Sequence, residues 1–283
     1  MQPSVRPVDV IGVTGSGGAA RTDVAAAEEP LEIRLGASPF VVIMRTPGAD
    51  RELAAGFLLS EQVIQGAADI ATIKHCTEGA GAELGNVLNV WLAGEAADRG
   101  AARLTERRLV ASNSSCGVCG RRSIEDLMRN LPPVPSGFPG LSEVEGSRKI
   151  SRDIITALPD RLRATQAGFD ESGGLHAAGL FTCDGSLVAV AEDVGRHNAV
   201  DKVIGAQALA GRIPLGDHIL FVSGRTSFEI VQKAAVAGIP IVAAVSAPST
   251  LAIDLARQAN ITLLGFVRGD TFNVYAGAER IML

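Results

Sequence analysis

The chain has 283 residues, 47% of them hydrophobic, and its 26 basic against 31 acidic residues leave a net charge of -5. That is apolar material enough for one substantial core, or one core with a smaller second lobe. A net acidic chain excludes a polycationic face for nucleic acid or anionic membrane, so any anion site has to be local. The longest apolar runs, such as residues 239–245, fall far short of the roughly 20 residues that cross a bilayer, and the N-terminus lacks a basic start followed by an apolar stretch. Four cysteines, two of them in one C-x-x-C, point to a reducing cytoplasmic setting rather than a secreted disulfide framework.

Residues 1–28 carry Gly, Ala, Val and acidic residues without useful periodicity and are expected as a disordered extension. Residues 29–130 read as a small α+β lobe. Strands are predicted at 31–35 and 40–46, joined at Gly36-Ala37-Ser38-Pro39. Asp50 is placed to cap a helix on which Leu53, Phe57, Leu58 and Val63 recur at helical spacing, and strands follow at 70–75 and 87–92. Pro132, Pro133, Pro135 and Pro139 then break regular structure and mark a linker over residues 131–147. Over 148–283 the pattern changes to a hairpin about Asp184-Gly185, followed by helices near 198–210, 228–237 and 251–259 that alternate with apolar strands at 218–222, 239–245 and 261–266. Buried strands separated by helices predict a largely parallel sheet with helices on its faces, an α/β fold.

The chemistry concentrates at Cys116-Gly117-Val118-Cys119. Ser123 with Asp126 three residues on offers a box-like cap for a helix over 124–130, which leaves the two cysteines in the preceding loop. Gly117 and Gly120 make that loop flexible, and Arg107, Arg108, Arg121 and Arg122 flank it with charge that favours thiolate over thiol. A structural zinc site would need further ligands from Cys76, Cys183 or the four scattered histidines. A thioredoxin-like exchanger would place its C-x-x-C directly after a strand, whereas polar residues 111–115 precede this one. Both readings stay open behind the favoured one, a pair of reactive surface thiols.

Two strand-to-helix corners come next. Residues 192–202 bring Glu192, Asp193, Arg196, His197, Asp201 and Lys202 to the end of an apolar strand, where open α/β sheets line their ligand crevice. Ordinary capping and a surface charge network use the same residue types. In Ser223-Gly224-Arg225-Thr226-Ser227, Gly224 permits close backbone approach, Arg225 can fork onto a phosphate, and Thr226 with Glu229 reads as a capping box. A plain capped helix explains that corner almost as well. Ser246-Ala247-Pro248-Ser249-Thr250 repeats the geometry. Near the end, Phe266, Val267, Arg268, Gly269, Asp270 and Thr271 combine an aromatic face, a guanidinium and a carboxylate, suited to a nucleotide base and its phosphates, or equally to a charged hairpin.

Taken together, residues 192–202, residues 223–233 and the Cys116-Gly117-Val118-Cys119-Gly120 loop resemble the signatures of the FdhD family of sulfurtransferases required for formate dehydrogenase activity. Thr46-Pro47-Gly48, Gly56-Phe57-Leu58-Leu59-Ser60-Glu61, Gly173-Gly174-Leu175-His176-Ala177-Ala178-Gly179 and Phe272-Asn273-Val274-Tyr275 add to the likeness, which runs from about residue 31 to the C-terminus; Gln62 stands where the family usually has Gly. The resemblance implies a cytidine-deaminase-like α/β/α core and a homodimer. It implies sulfur taken from a cysteine desulfurase as a persulfide and handed to the molybdenum or tungsten bis(molybdopterin guanine dinucleotide) cofactor of formate dehydrogenase. Cys116 matches the persulfide carrier; Cys119 matches the second cysteine, which shuttles or releases sulfur or only assists folding. Phe266 to Thr271 match the cofactor-binding stretch, with His197, Ser223, Gly224 and Arg225 expected to add contacts. A zinc deaminase needs H-x-E and P-C-x-x-C, and no histidine here has Glu two residues on, so deamination is not expected.

Overall fold

The computed structural model describes residues 3–77, 85–108 and 149–282. The expected linker over 131–147, the helix over 124–130 and the C-x-x-C loop lie outside them. The chain opens with β1 (Val5–Thr14) and β2 (Gly17–Ala26), paired antiparallel from Val5 with Ala26 to Thr14 with Gly17. This ribbon lies inside the segment expected to be a disordered extension. Its strands stand largely in solvent on both faces, so no inside-outside alternation marks them, and the Val, Ile and Thr content of β1 is the only local strand signal. Its base is tied down: the Ala27 amide donates to the Ser4 carbonyl at 2.9 Å, and Arg6 pairs with Glu29.

A four-stranded sheet follows, with β3 (Glu29–Leu35), β4 (Ser38–Arg45), β5 (Ile70–His75) and β6 (Val87–Leu92) in the order β4-β3-β6-β5. Gly36 supplies the left-handed residue of the β3–β4 turn at φ 59. Helix α1 (Asp50–Ser60) packs Leu53 and Leu58 with Leu31, Ile33 and Ile43 of the sheet. Asp50 does not cap this helix; Ala49 stands at the N-cap with no side-chain bond. The Asp50 carboxylate instead accepts from the buried Arg45, Nε to Oδ1 at 2.9 Å and Nη2 to Oδ2 at 3.1 Å, because a buried guanidinium needs a carboxylate more than a helix start does. Helix α2 (Glu95–Arg108) closes this part.

The second part holds β7 (Ile150–Ser151), α3 (Arg152–Arg163), α4 (Ala167–Ser172), β8 (His176–Thr182), β9 (Leu187–Asp193), α5 (Arg196–Leu209), β10 (His218–Val222), α6 (Phe228–Val236), β11 (Ile241–Ala244), α7 (Thr250–Gln258), β12 (Thr262–Arg268), β13 (Thr271–Ala276) and β14 (Ile281–Met282). Six of these strands form one sheet in the order β13-β12-β11-β10-β8-β9. Only the β10–β11 and β11–β12 pairs are parallel. The expectation of a largely parallel sheet therefore holds for its centre alone. Both edges come from hairpins, β8–β9 and β12–β13, and hairpin strands pair antiparallel. Alternation along β10 separates two faces: Leu220 and Val222 join Val200, Val203, Val231 and Leu255 of α5, α6 and α7, while Ile219 and Phe221 join Ile155, Leu158 and Leu162 of α3. The result is an α/β/α sandwich.

The two parts share one core. Apolar contact runs without a break from β3 through α1 into α5 and α6. Helices α1 and α5 meet backbone to backbone, and two glycines make that possible: a β-carbon on Gly56 would overlap the Asp201 carbonyl, and one on Gly205 would overlap the Glu52 carbonyl.

Candidate functional site

Strand β8 runs antiparallel to both β9 and β10, so β9, β10, β11 and β12 all point the same way. Their C-terminal ends gather the 193–195, 223–227, 246–250 and 266–271 corners along one edge of the sheet, and α5, α6 and α7 all start there. Loops hold the chemistry here, and the sheet fixes their spacing.

At the first corner Asp193, Asn198 and Lys202 are consumed by structure. Asp193 is fully buried: its Oδ2 accepts from the Thr46 amide at 3.1 Å and pairs with Lys202 Nζ at 2.7 Å, and its Oδ1 accepts from the Gly195 amide at 2.8 Å and Asn198 Nδ2 at 2.9 Å. Lys202 also donates to the Thr46 carbonyl at 2.9 Å, and Asn198 to that of Met44 at 2.7 Å. One turn on, Asp201 takes Lys233 Nζ on both oxygens at 2.7 and 2.8 Å and the Ser60 hydroxyl at 3.1 Å. Burial pushes the Asp201 carboxyl up, and Lys233 and Ser60 work against that. These bonds tie α5 to the first part of the chain.

His197 faces the crevice. Its Nε2 lies 3.0 Å from Ser227 Oγ and 3.8 Å from Glu229 Oε2. Burial, then the charges of Lys233 and Arg196, hold its pKa down to about 4, so the ring is a neutral donor or acceptor. His176, at the start of β8, is also lowered, by burial and then by Arg196. Gly224 sits against both: a β-carbon there would lie 3.4 Å from His176 Nδ1 and 3.7 Å from Arg196 Cδ.

Ser223 is less available, since its Oγ accepts from the Ala177 amide at 2.9 Å. The expected capping box at Thr226 and Glu229 does not form. Ser227 is the N-cap of α6 and makes no capping bond, Glu229 faces His197, and Thr226 Oγ1 is buried without a partner. The Thr226 backbone explains the shift: its amide donates to the Ala247 carbonyl at 3.2 Å and its carbonyl accepts from the Ser249 amide at 2.9 Å, lacing the second corner to the third. Arg225 is exposed.

At the far end, Phe266 is in the left-handed region at φ 55, and the residue is 39% exposed at the sheet edge. That conformation costs on the order of 1–3 kcal/mol in a non-glycine residue and is held by the Phe266 amide bond to the Ser246 carbonyl at 3.2 Å. Arg268 Nε donates to the Val245 carbonyl at 3.0 Å and its guanidinium lies 5.9 Å from the Phe266 ring centre. Gly269, at φ 54, turns the chain; Thr271 Oγ1 donates to the Arg268 carbonyl at 3.2 Å, and the Asp270 carbonyl accepts from Arg152 at 2.8 Å. Val267 is buried in the α3 face of the sheet, so its side chain serves the core.

The model of the FdhD/NarQ family matches residues 26–282. The chain belongs to that family. Relatives include the sulfur carrier protein FdhD of Nocardia farcinica, 47% identical over 274 residues that cover 96% of this chain and 93% of the relative, and that of Anaeromyxobacter dehalogenans, 48% identical over 277 residues, 96% and 92%. A crystal structure of a candidate formate dehydrogenase accessory protein from Desulfotalea psychrophila has the same fold, with a TM-score of 0.74 at 24% identity, covering 99% of this chain and all of that one.

Several of the strings by which this sequence resembles the family meet where α5 joins the first part of the chain: Thr46, Gly56, Ser60, Asp193, Asp201 and Lys202 bond or pack there, and Lys233 of α6 pairs with Asp201. The structure brings His197, Ser223, Gly224 and Arg225 to one crevice, and Phe266 with Arg268 to the opposite end of the same edge. Cys116 and Cys119 lie outside the described residues. Cys76 follows β5, and Cys183 sits in the β8–β9 turn, where its Sγ donates to the Asp217 carbonyl at 3.1 Å and burial pushes the thiol up to about 12. Sequence reading brought Arg196 to this corner without giving it a ligand contact and passed over His176; the signal for His176 was its place in the Gly173–Gly179 string. Among the described residues no helix is long and apolar enough to cross a membrane, and no group of three or more His, Cys, Asp or Glu gathers as a metal set.

Proposed function

We propose that this chain is a cytoplasmic sulfur carrier that serves formate dehydrogenase. Cys116 takes sulfur from a cysteine desulfurase as a persulfide and delivers it to the molybdenum or tungsten bis(molybdopterin guanine dinucleotide) cofactor, which is cargo here and not a resident group. The observation that carries this reading is near-half identity, along almost the whole chain, to relatives named sulfur carriers, in a sequence whose single thiol pair is Cys116 and Cys119. Arginines beside that pair favour the thiolate, the form that attacks a donor persulfide and later departs when the sulfur moves on. The strand edge supports the other half. Phe266 offers an exposed ring and Arg268 a guanidinium beside it, the pieces that hold a purine and its phosphates. Gly224 and the crevice at His197 and Arg225 extend that edge, and a homodimer would present it twice.

A chaperone that only holds the cofactor is the rival, favoured by the ring, guanidinium and crevice that the described residues gather along the strand edge. Formate dehydrogenase activity in cells whose own carrier is deleted separates the two. Cys116→Ser should restore none of it while binding guanine nucleotide as the parent does; full restoration by Cys116→Ser would leave the holding role alone.

A further inference from the structure

The β1–β2 ribbon takes no part in the strand-edge site, and residues 5–25 precede the span 26–282 that the family model matches. A two-stranded sheet is marginal in water by itself, and among the described residues this one has no third strand. Ile11 and Val13 are 74% and 79% exposed, more than any other large apolar residue described. The two outer edges of the ribbon differ. Thr14 and Gly17 flank the two-residue turn, and at the base the Ala27 amide donates to the Ser4 carbonyl. Both ends set one phase: the even-numbered residues of β1 and the odd-numbered residues of β2 turn their backbone groups to each other. The outer edge of β1 is left with Val5, Pro7, Asp9, Ile11 and Val13, where Pro7 has no N–H to offer, a common guard of an edge strand. The outer edge of β2 is left with Gly18, Ala20, Thr22, Val24 and Ala26, every one with an N–H. That of Val24 turns to the Asp23 carboxylate at 2.9 Å, as an amide outside the ladder must.

We infer that the outer edge of β2 is a self-association surface, taken by β2 of a second copy of this chain, antiparallel and about a two-fold axis at Thr22. Thr22 then faces its own equivalent with both backbone groups, Ala20 faces Val24 of the other copy, and Arg21 stands opposite Asp23 of the other copy, twice by symmetry. The charge pattern selects this register. An axis at Arg21 or Asp23 sets like charges against each other, and one at Ala20 or Val24 leaves both charges without a counterpart. Within one copy Arg21 Nη2 already reaches Asp23 Oδ2 at 2.9 Å, and both side chains are exposed, so pairing closes a ring of four alternating charges. On the opposite face Ile11 and Ala20 line up with Val24 and Pro7 of the second copy, an apolar row that neither ribbon has alone. Two marginal ribbons become one four-stranded sheet. The contact is small beside the roughly 1,600 Å² of a standard interface, so the association depends on concentration. It goes beyond the sulfur-carrier reading and holds whatever the cargo.

Analytical ultracentrifugation of the full chain over a concentration series from about 1 to about 200 μM tests this. The parent should pass to a species of twice the mass. Arg21→Asp makes the edge acidic at both positions and Asp23→Arg makes it basic at both; each alone should weaken the association at least about tenfold, since two attractive cross-strand pairs turn repulsive. Mixed in equal amounts the two variants should associate as the parent does, because the acidic edge complements the basic one. A ribbon that had merely lost its fold would gain nothing from mixing. Thr22→Pro removes the central outward N–H, spares the ladder to β1 and should abolish the association. Equal association in the parent and both charge variants, or no recovery on mixing, overturns the ribbon contact. A dimer that survives every one of these changes assigns the homodimer to another face, and a parent that stays a single chain throughout overturns the homodimer as well.

Discussion

His197 shows how burial decides what a residue can do. The fold holds its pKa at about 4 against an ordinary 6.5, so the unfolded chain binds more protons between those values. Its contribution to stability is complete above about pH 6.5 and is lost as pH falls toward 4. Urea unfolding of the parent should therefore lose about 2 kcal/mol more than His197→Gln between pH 7 and pH 5; equal losses would contradict the buried, neutral ring. Lys233 and Asp201 make the opposite case. Lys233→Met alone strands a buried carboxylate and should cost about 3–5 kcal/mol, while the Lys233→Met, Asp201→Leu double variant should recover most of it in the same denaturation series. From sequence, Asp201 and Lys202 read as ionisable groups at a ligand corner or as part of a surface charge network. They are buried struts, because their partners Ser60 and Thr46 stand 141 and 156 positions away along the chain, and long-range pairing leaves no local pattern.

Among elements, those with their own apolar period were legible. The strands at 70–75, 87–92 and 218–222 and the helices that start near 198, 228 and 251 appear within a few residues of their expected places. Caps were not, because a cap is won in competition with tertiary bonds: Asp50 goes to Arg45, and the Thr226 backbone goes to the neighbouring corner. The β1–β2 ribbon escaped because neither face is buried. The α1–α5 crossing escaped because Gly56 and Gly205 act through an absent side chain. Gly205→Ala forces two helix backbones apart, and neither carbonyl can swing aside as a side chain would. It should cost at least about 1–3 kcal/mol, seen as a lower urea midpoint with an unchanged slope. A midpoint equal to the parent's would mean that the helices do not meet there.

At the scale of the whole molecule, one core unites a small sheet with an α/β/α sandwich, and the joint between them places α5 so that its start faces the strand edge. The net charge of -5 is spread over the chain, while Arg196, Arg225 and Arg268 stand along one edge, the local positive charge that the proposed anionic cargo requires. The fold class and that edge could be read from the alternation of strands and helices. The assignment of sulfur chemistry rests on Cys116 and on kinship with named sulfur carriers. Intact-protein mass spectrometry after incubation with a cysteine desulfurase and cysteine tests it most directly. One added sulfur, about 32 Da, should appear on Cys116, vanish on treatment with reductant and be missing from Cys116→Ser, as persulfide exchange requires. A parent chain that gains no such mass under those conditions would contradict the sulfur-carrier account.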